Sequence, residues 1–427
     1  MIALYFKQAV HLLKENRLLS IISIAGTAFA IAMIMVIVIT LRAGISPMAP
    51  ENSRDRMLLV KSIRCASKSN ERWKSHGPMS YTTAKECFKK LTTPEAVSVT
   101  GYSADEMLAS LPAGDKVSCD VKQVDADYWR VFDFAFLSGK SFTEADFESG
   151  LPRVVVTAEI ARKLFGTTDA VGKTLLLNHA EYTIVGVVKN VSQLTEGAYA
   201  QAWIPFTSTN LTDDTWSNGI MGSMRVYILA RSTADFSAIR QECNRLRLLY
   251  NTTLTDYQVE YMNQPDTYFT SSYRYSANNL PGVKGAVITL IVSMAILLLV
   301  PAINLSGLTL SRMRKRLPEI GVRKAFGATR SELMIQVLSE NLLLTLLGGA
   351  VGLVLSYAST ILLSDMLFGN VMSASMNGAN TVSASLLFSP QVFLLALLFC
   401  LVLNLLSAGI PAWRSTHTTI VDALNQR

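Results

Sequence analysis

Few residues in this chain are spaced for chemistry. The nearest approach to a nucleotide site is Gly166-Thr-Thr-Asp-Ala-Val-Gly172-Lys173-Thr174. A glycine loop followed by Lys and Thr could cradle phosphate, but that motif needs four residues between its glycines and this segment has five. A glycine turn entering a strand at Thr174–Leu177 is the simpler reading. The four histidines, His11, His76, His179 and His417, form no zinc-type spacing. There is no GxSxG elbow, and no carboxylate pair is set out for acid–base work. These absences point to a non-catalytic chain that binds no metal or cofactor of its own. A membrane-anchored hydrolase is the enzyme alternative.

The segment richest in information is Arg312-Met-Arg-Lys-Arg-Leu-Pro-Glu-Ile-Gly-Val-Arg-Lys-Ala-Phe-Gly-Ala-Thr-Arg330. Pro318 suits the first turn of a helix, where its missing N–H costs nothing. Glu319 then lies at the positive end of the helix dipole, with Arg323 and Lys324 toward the negative end. Glu319 and Arg323 are i, i+4 partners, as are the apolar Val322 and Phe326. Gly327 can stop the helix in a left-handed conformation, and Thr329 with Glu332 forms a capping box for the next one. The spacing predicts a helix of about 9 residues, roughly 14 Å long. Such a helix could dock onto a partner protein or lie on lipid headgroups, and spacing alone leaves both open.

Four charge-poor runs surround this segment: 18–41, 285–311, 341–364 and 392–410. Each approaches or exceeds the roughly 20 apolar residues that cross a bilayer. The first has a basic flank but is too long for a cleaved signal peptide, so it is expected to be a retained anchor. The net charge of +7 invites a nucleic-acid reading, yet its placement argues against one. Residues 43–283 hold 25 basic and 26 acidic side chains, and the excess of Lys and Arg lies in both tails and in the 312–337 loop. By the positive-inside rule those segments are cytoplasmic. The expected fold is an α-helical membrane protein with four transmembrane helices and a large α/β (α+β) extracytoplasmic domain between helices 1 and 2. Its parts are a tail (1–17), a span (18–41), the domain (43–283), a span (285–311), a cytoplasmic loop (312–337), a span (338–364), a short outer loop (365–391), a span (392–412) and a tail (413–427). Both termini are expected in the cytoplasm and the domain in the periplasm.

Within the domain, strand-like 57–63, helix-like 82–91 and strand-like 96–101 form one β-α-β unit, and 224–230, 235–250 and 257–262 form another. These predict ferredoxin-like halves at about 55–124 and 223–270 around a strand-rich insert at about 125–222. Cys65, Cys87, Cys119 and Cys243 permit disulfides outside the cytoplasm, with buried free thiols as the alternative.

The run from Arg316 to Arg330, Arg-x-x-Glu-Ile-Gly-Val-Arg-Lys-Ala-x-Gly-Ala-x-Arg, resembles the hallmark of FtsX/MacB-type ABC transporter permeases. Glu340, Gly348, Gly349, Gly352 and Asn304 continue the pattern. Phe134-x-x-Leu-x-Gly-Lys-x-Phe142, Ala161-x-Lys-Leu-Phe-Gly166, Val171-Gly-Lys173 and Tyr182–Val188 resemble the MacB-type periplasmic core. Lys140 stands where that family usually has Arg.

The resemblance implies a permease subunit without a fused ATPase, with ATP and Mg bound by a separate cytoplasmic ABC ATPase. It implies a homodimer or permease heterodimer that transmits motion across the membrane. The cargo would be exported or extracted, as an amphipathic compound, peptide or lipoprotein. An adaptor and an outer-membrane channel are further candidate partners, alongside membrane lipids; nucleic acid is not one. The alternative is a signalling subunit that activates a periplasmic cell-wall hydrolase or sensor without transport. Carried over residue by residue, Arg316, Glu319, Ile320, Gly321, Val322, Arg323, Lys324, Phe326 and Gly327 would contact the ATPase. Pro301 would hinge the second span by removing a helical hydrogen bond. Gly348 and Gly352, and likewise Gly26 and Ala30, offer small-xxx-small faces for another span or a dimer mate.

Overall fold

The computed structural model describes residues 17–296 except 71, 113, 115 and 294, and beyond them 307, 322, 325–362, 393–398, 401, 402 and 405. Two units are described separately, an α/β unit over Ala43–Ala286 and a helical unit drawn from the flanking segments. In the helical unit, α1 (Arg17–Ile45) contains a stretch, Ser20–Ile45, long and apolar enough to cross a membrane. A second such stretch is Ser331–Leu362, and a shorter apolar helix covers Val283–Ser293. Most of the second and fourth expected spans, and the 365–391 loop, lie outside the described residues.

The α/β unit is organised by an inner strand that is apolar along its whole length. Met57–Val60 (β1) is buried at every position, so both of its faces are covered, and it is paired along both edges. Met224–Leu229 (β14) flanks one edge and Asp266–Thr267 (β16) the other, both antiparallel. On its far side β14 pairs with Ala96–Gly101 (β4), also antiparallel. The order β16-β1-β14-β4 is that of two interleaved β-α-β passages. Helix α2 (Tyr81–Ala84), continued by one wide turn over Lys85–Lys89, leads to β4. Helix α4 (Phe236–Thr253) leads away from β14 and buries Ile239, Cys243, Leu246 and Tyr250 at helical spacing. Cys87 and Phe88 from the α2 turn join Ile239, Cys243 and Tyr250 in one buried core.

A second body of strands closes on itself. Asp105–Ser110 (β5), Lys116–Val124 (β6), Arg153–Thr157 (β8), Thr174–Leu177 (β9), Ala180–Val188 (β10) and Ala202–Pro205 (β11) are hydrogen-bonded in the cycle β6-β5-β9-β10-β8-β11. The pairing that closes the ring is β11 with β6, parallel from Ala202↔Val121 to Pro205↔Val124. Val121, Val154, Val156, Leu175, Leu177, Ile184 and Ile204 share its core with the buried face of α3 (Ala158–Phe165). Phe136–Gly139 (β7) adds to β10, and Thr215–Trp216 (β12) pairs with Met221–Gly222 (β13).

Two boundaries differ from the sequence expectation. The strand-rich body begins near 105 rather than 125, because β5 and β6 are ring strands; β6 meets β4 only through Thr100↔Val124. The strand expected at 257–262 is Tyr257–Glu260 (β15), and it pairs with Ile63–Ser67 (β2) rather than with β1. With Lys74–Gly77 (β3) these form a separate three-stranded sheet. The edge of the main sheet is taken instead by β16. At two residues it is too short to carry the run of 4–8 strand-forming residues by which a strand is read.

Candidate functional site

The loop between the second and third expected spans is described from Ala325 onward, with Val322 before it. Phe326 N–H donates to the Val322 carbonyl at 3.1 Å, closing a helical turn. Gly327 follows at φ +91°, a left-handed stop that a side chain would strain. Thr329 then caps the next helix. Glu332 N–H donates to Thr329 Oγ1 at 3.3 Å, while Thr329 N–H and Oγ1–H donate to Glu332 Oε2 at 2.8 and 2.9 Å. From this cap α6 (Arg330–Leu362) runs without a break for 33 residues, about 50 Å at 1.5 Å per residue. That exceeds a hydrocarbon core of about 30 Å. On the elbow Phe326 is 89% exposed and Val322 45%. Arg316, Glu319, Ile320, Gly321, Arg323, Lys324 and Pro301 lie outside the described residues.

The small residues of α6 are packed within this chain. A Cβ at Gly348 would stand 2.7 Å from Thr27 Cβ, and one at Gly352 would stand 2.7 Å from the Ala28 carbonyl and 3.0 Å from Ile31 Cβ. One at Gly349 would meet Leu397 Cδ1 at 2.5 Å. Gly348 and Gly352 therefore let α6 and α1 approach closely. Ala30 is buried, whereas a Cβ added at Gly26 would meet nothing within 4 Å.

The near-phosphate-loop has no anion cradle. Gly166, at φ +70°, caps the C-terminus of α3, and Gly172 N–H donates to the Ile184 carbonyl at 2.8 Å. A phosphate site would need the N-terminus of a helix at this place. Cys65, Cys87, Cys119 and Cys243 are all free and buried. Burial pushes the Cys65 and Cys87 thiols up to about 11.

A buried ionic cluster lies where the chain leaves α1, and the sequence carries no sign of it. Arg54 Nε donates to Glu51 Oε2 at 2.6 Å, with both side chains wholly buried. Arg54 Nη1 donates to the Ala43 and Ser46 carbonyls, both at 2.9 Å, and so satisfies the open C-terminal end of α1. Its Nη2 donates to the Leu194 carbonyl at 2.5 Å. The guanidinium lies 4.6 Å over the ring of Tyr268, on α5 (Tyr268–Ser272). Glu51 Oε1 also accepts the Ala198 N–H at 2.9 Å. Nearby, Lys122 Nζ donates to the Glu196 and Gly197 carbonyls at 2.8 and 2.7 Å. Burial, with Arg225 adding to it, pushes the Lys122 ammonium down to about 7 against the pull of Glu196 and Glu51. Burial alone would raise the Glu196 carboxyl, but Lys61 and Arg225, 3.4 and 3.1 Å away, hold it down to about 2.

Residues 18–246 match the family model of the MacB-like periplasmic core domain, which is more than half of the chain, and residues 291–420 match the FtsX-like permease C-terminal model. The chain belongs to the MacB/FtsX-type ABC transporter permeases. It is 24% identical over 424 residues to the uncharacterized ABC transporter permease YknZ of Bacillus subtilis (strain 168), covering 98% of each. It is 28% identical over 313 residues to the macrolide export ATP-binding/permease protein MacB 1 of Yersinia pestis bv. Antiqua. That match takes in 72% of this permease but only 43% of the relative, so the chain spans less than half the length of the macrolide exporter. Among solved structures it resembles the extracellular domain of the noncanonic ABC-type transporter YknZ from Gram-positive bacteria (19% identity, TM-score 0.34, 47% of this chain and 99% of that one). It also resembles the periplasmic region of MacB from Actinobacillus actinomycetemcomitans (13% identity, TM-score 0.32, 47% and 88%).

Proposed function

We propose that this permease couples ATP hydrolysis by a separate cytoplasmic ABC ATPase to movement of its extracytoplasmic α/β unit, and so exports or extracts an amphipathic compound, peptide or lipoprotein. The chain itself is non-catalytic, sits in the bacterial inner membrane with four spans and both termini inside, and works as a dimer. The observation that carries this reading is the elbow at 322–332. It presents an apolar i, i+4 pair to solvent, stops at a left-handed glycine, and passes through a capping box into a helix long enough to cross the membrane. A push on Phe326 would be delivered to α6 with no flexible joint beyond Gly327, and the close fit of Gly348 and Gly352 on α1 would carry it to the helix that enters the α/β unit. Pro301 would let the second span flex in step.

The test is affinity purification of the full chain from native membranes, with the co-purifying ATPase identified by mass spectrometry. Burying a phenylalanine is worth roughly 1.5–3 kcal/mol, so Phe326→Ala should weaken ATPase recovery about 10- to 150-fold. Glu319→Arg should weaken it as well. Coupled ATPase activity that survives both changes, and also deletion of 318–326, overturns the assignment.

A further inference from the structure

The segment joining the α/β unit to the apolar helix at Val283–Ser293 is tied down by an ion pair and several hydrogen bonds, yet it shows its largest side chains to the outside. Arg274 forms a buried ion pair with Asp266. It also donates to the Asn279 carbonyl at 2.7 Å and the Met262 carbonyl at 3.0 Å. Asn278 bonds His76 Nδ1 at 2.8 Å, and Ala277 is fully buried. On this fixed frame Tyr275 is 100% exposed and Leu280 58%. Phe269, partly exposed, stacks edge-on against Tyr273 at 5.1 Å.

The frame is tied to the start of the apolar helix. Gly282 N–H donates to the Tyr273 carbonyl at 3.2 Å, and the Gly282 carbonyl accepts from Ala286 N–H at 3.0 Å in the helix's first turn. Tyr273 is therefore one hydrogen bond from the residue that opens this helix. The helix's own outer residues, Ile288, Ile291 and Val292, are exposed and apolar, as lipid contact requires. The headgroup layer is about 5–8 Å thick on each side of the hydrocarbon core. A loop bonded to the first turn of a helix entering that core must lie in this layer. Tyrosine suits it, with its ring toward the acyl chains and its hydroxyl toward glycerol and phosphate. Lys284, exposed in the first turn, can place its ammonium at the phosphates while its stem lies on lipid.

We propose that Tyr275 and Leu280 form an interfacial anchor seated in lipid headgroups on the α/β unit's side of the membrane, the bilayer being the partner of this surface. The anchor sets the depth at which the second span enters. It makes the Arg274–Asp266 frame the element that any axial shift of that span must pull against. This does not depend on which ATPase drives the permease, or on whether one does.

The test uses the full chain in nanodiscs of phosphatidylethanolamine and phosphatidylglycerol, in a Cys400→Ala background. Cys65, Cys87, Cys119 and Cys243 are buried and should not be labelled. Spin labels are placed through Tyr275→Cys, Leu280→Cys and, as a reference on the strand ring, Asp169→Cys. Power saturation then compares collision with dissolved oxygen and with an aqueous nickel chelate. Labels at 275 and 280 should favour oxygen several-fold over the label at 169, with 280 at least as deep as 275. A 275 label that meets nickel as freely as 169, or one shielded from both reagents by a protein contact, overturns the proposal. Should the cysteine variants fold poorly, Tyr275→Trp keeps the question open to measurement. Brominated lipids should then quench more emission than in the parent, and equal quenching overturns the anchor.

Discussion

Arg54→Met tests whether the ionic cluster below α1 holds the α/β unit together. Arg54 and Glu51 are fully buried, and the guanidinium bridges the end of α1, the Leu194 backbone and the Tyr268 ring. Removing it leaves the buried Glu51 carboxylate without its charged partner, holding the Ala198 N–H, and takes a donor from three carbonyls. Breaking a buried ion pair from one side costs about 3–5 kcal/mol. In a unit of this size each kcal/mol is worth about 2–4 °C, so the melting temperature should fall by about 6–20 °C. The assay is a thermal melt of the full chain in detergent, read by the emission of the fully buried Trp203. The double variant Glu51→Gln with Arg54→Met removes both charges, so its loss should be smaller than the sum of the single losses by about 0.5–3 kcal/mol. Single variants that melt within about 2 °C of the parent, less than about 1 kcal/mol, would refute the reasoning. So would a strictly additive double variant.

Gly352→Leu should force α6 off α1, since even a Cβ there would stand 2.7 Å from the Ala28 carbonyl and 3.0 Å from Ile31 Cβ. The expected loss is about 1–3 kcal/mol, read by size-exclusion melting, and Gly26→Leu, with open space around it, should stay near the parent. Equal losses at the two positions would show that Gly352 is not special to this contact. Lys122 sets a pH dependence. Its folded value is lowered from 10.5 to about 7, so between those values the unfolded chain holds the extra proton and stability rises with pH. Lys122→Met should flatten the rise in urea midpoint from pH 7 to 10, and an unchanged slope would contradict the assignment.

The elements that repeat within short windows were legible. The β-branched runs at 153–157 and 182–188 are ring strands, and the helix expected at 235–250 is α4. The Thr329–Glu332 box is likewise a pattern of four neighbouring residues with a local physical cause. What escaped are closures between distant segments. Nothing in β5, β6 or β11 announces that β11 will bond to β6 as well as β8, yet that one extra pairing turns an open sheet into a ring and moves the insert boundary to 105.

Glu51 and Arg54 show the same limit most sharply. Three residues apart beside a membrane-length helix, they have the spacing of an ordinary surface pair, worth little in water. Their importance arises only when Leu194, some 140 residues further on, and Tyr268 close over them and remove the water. The pair then cannot be read as a local contact. It joins the end of α1, the loop after β10 and the segment that leads back to the membrane. Because each of those pieces satisfies a group the others leave bare, none can shift alone without exposing a buried charge.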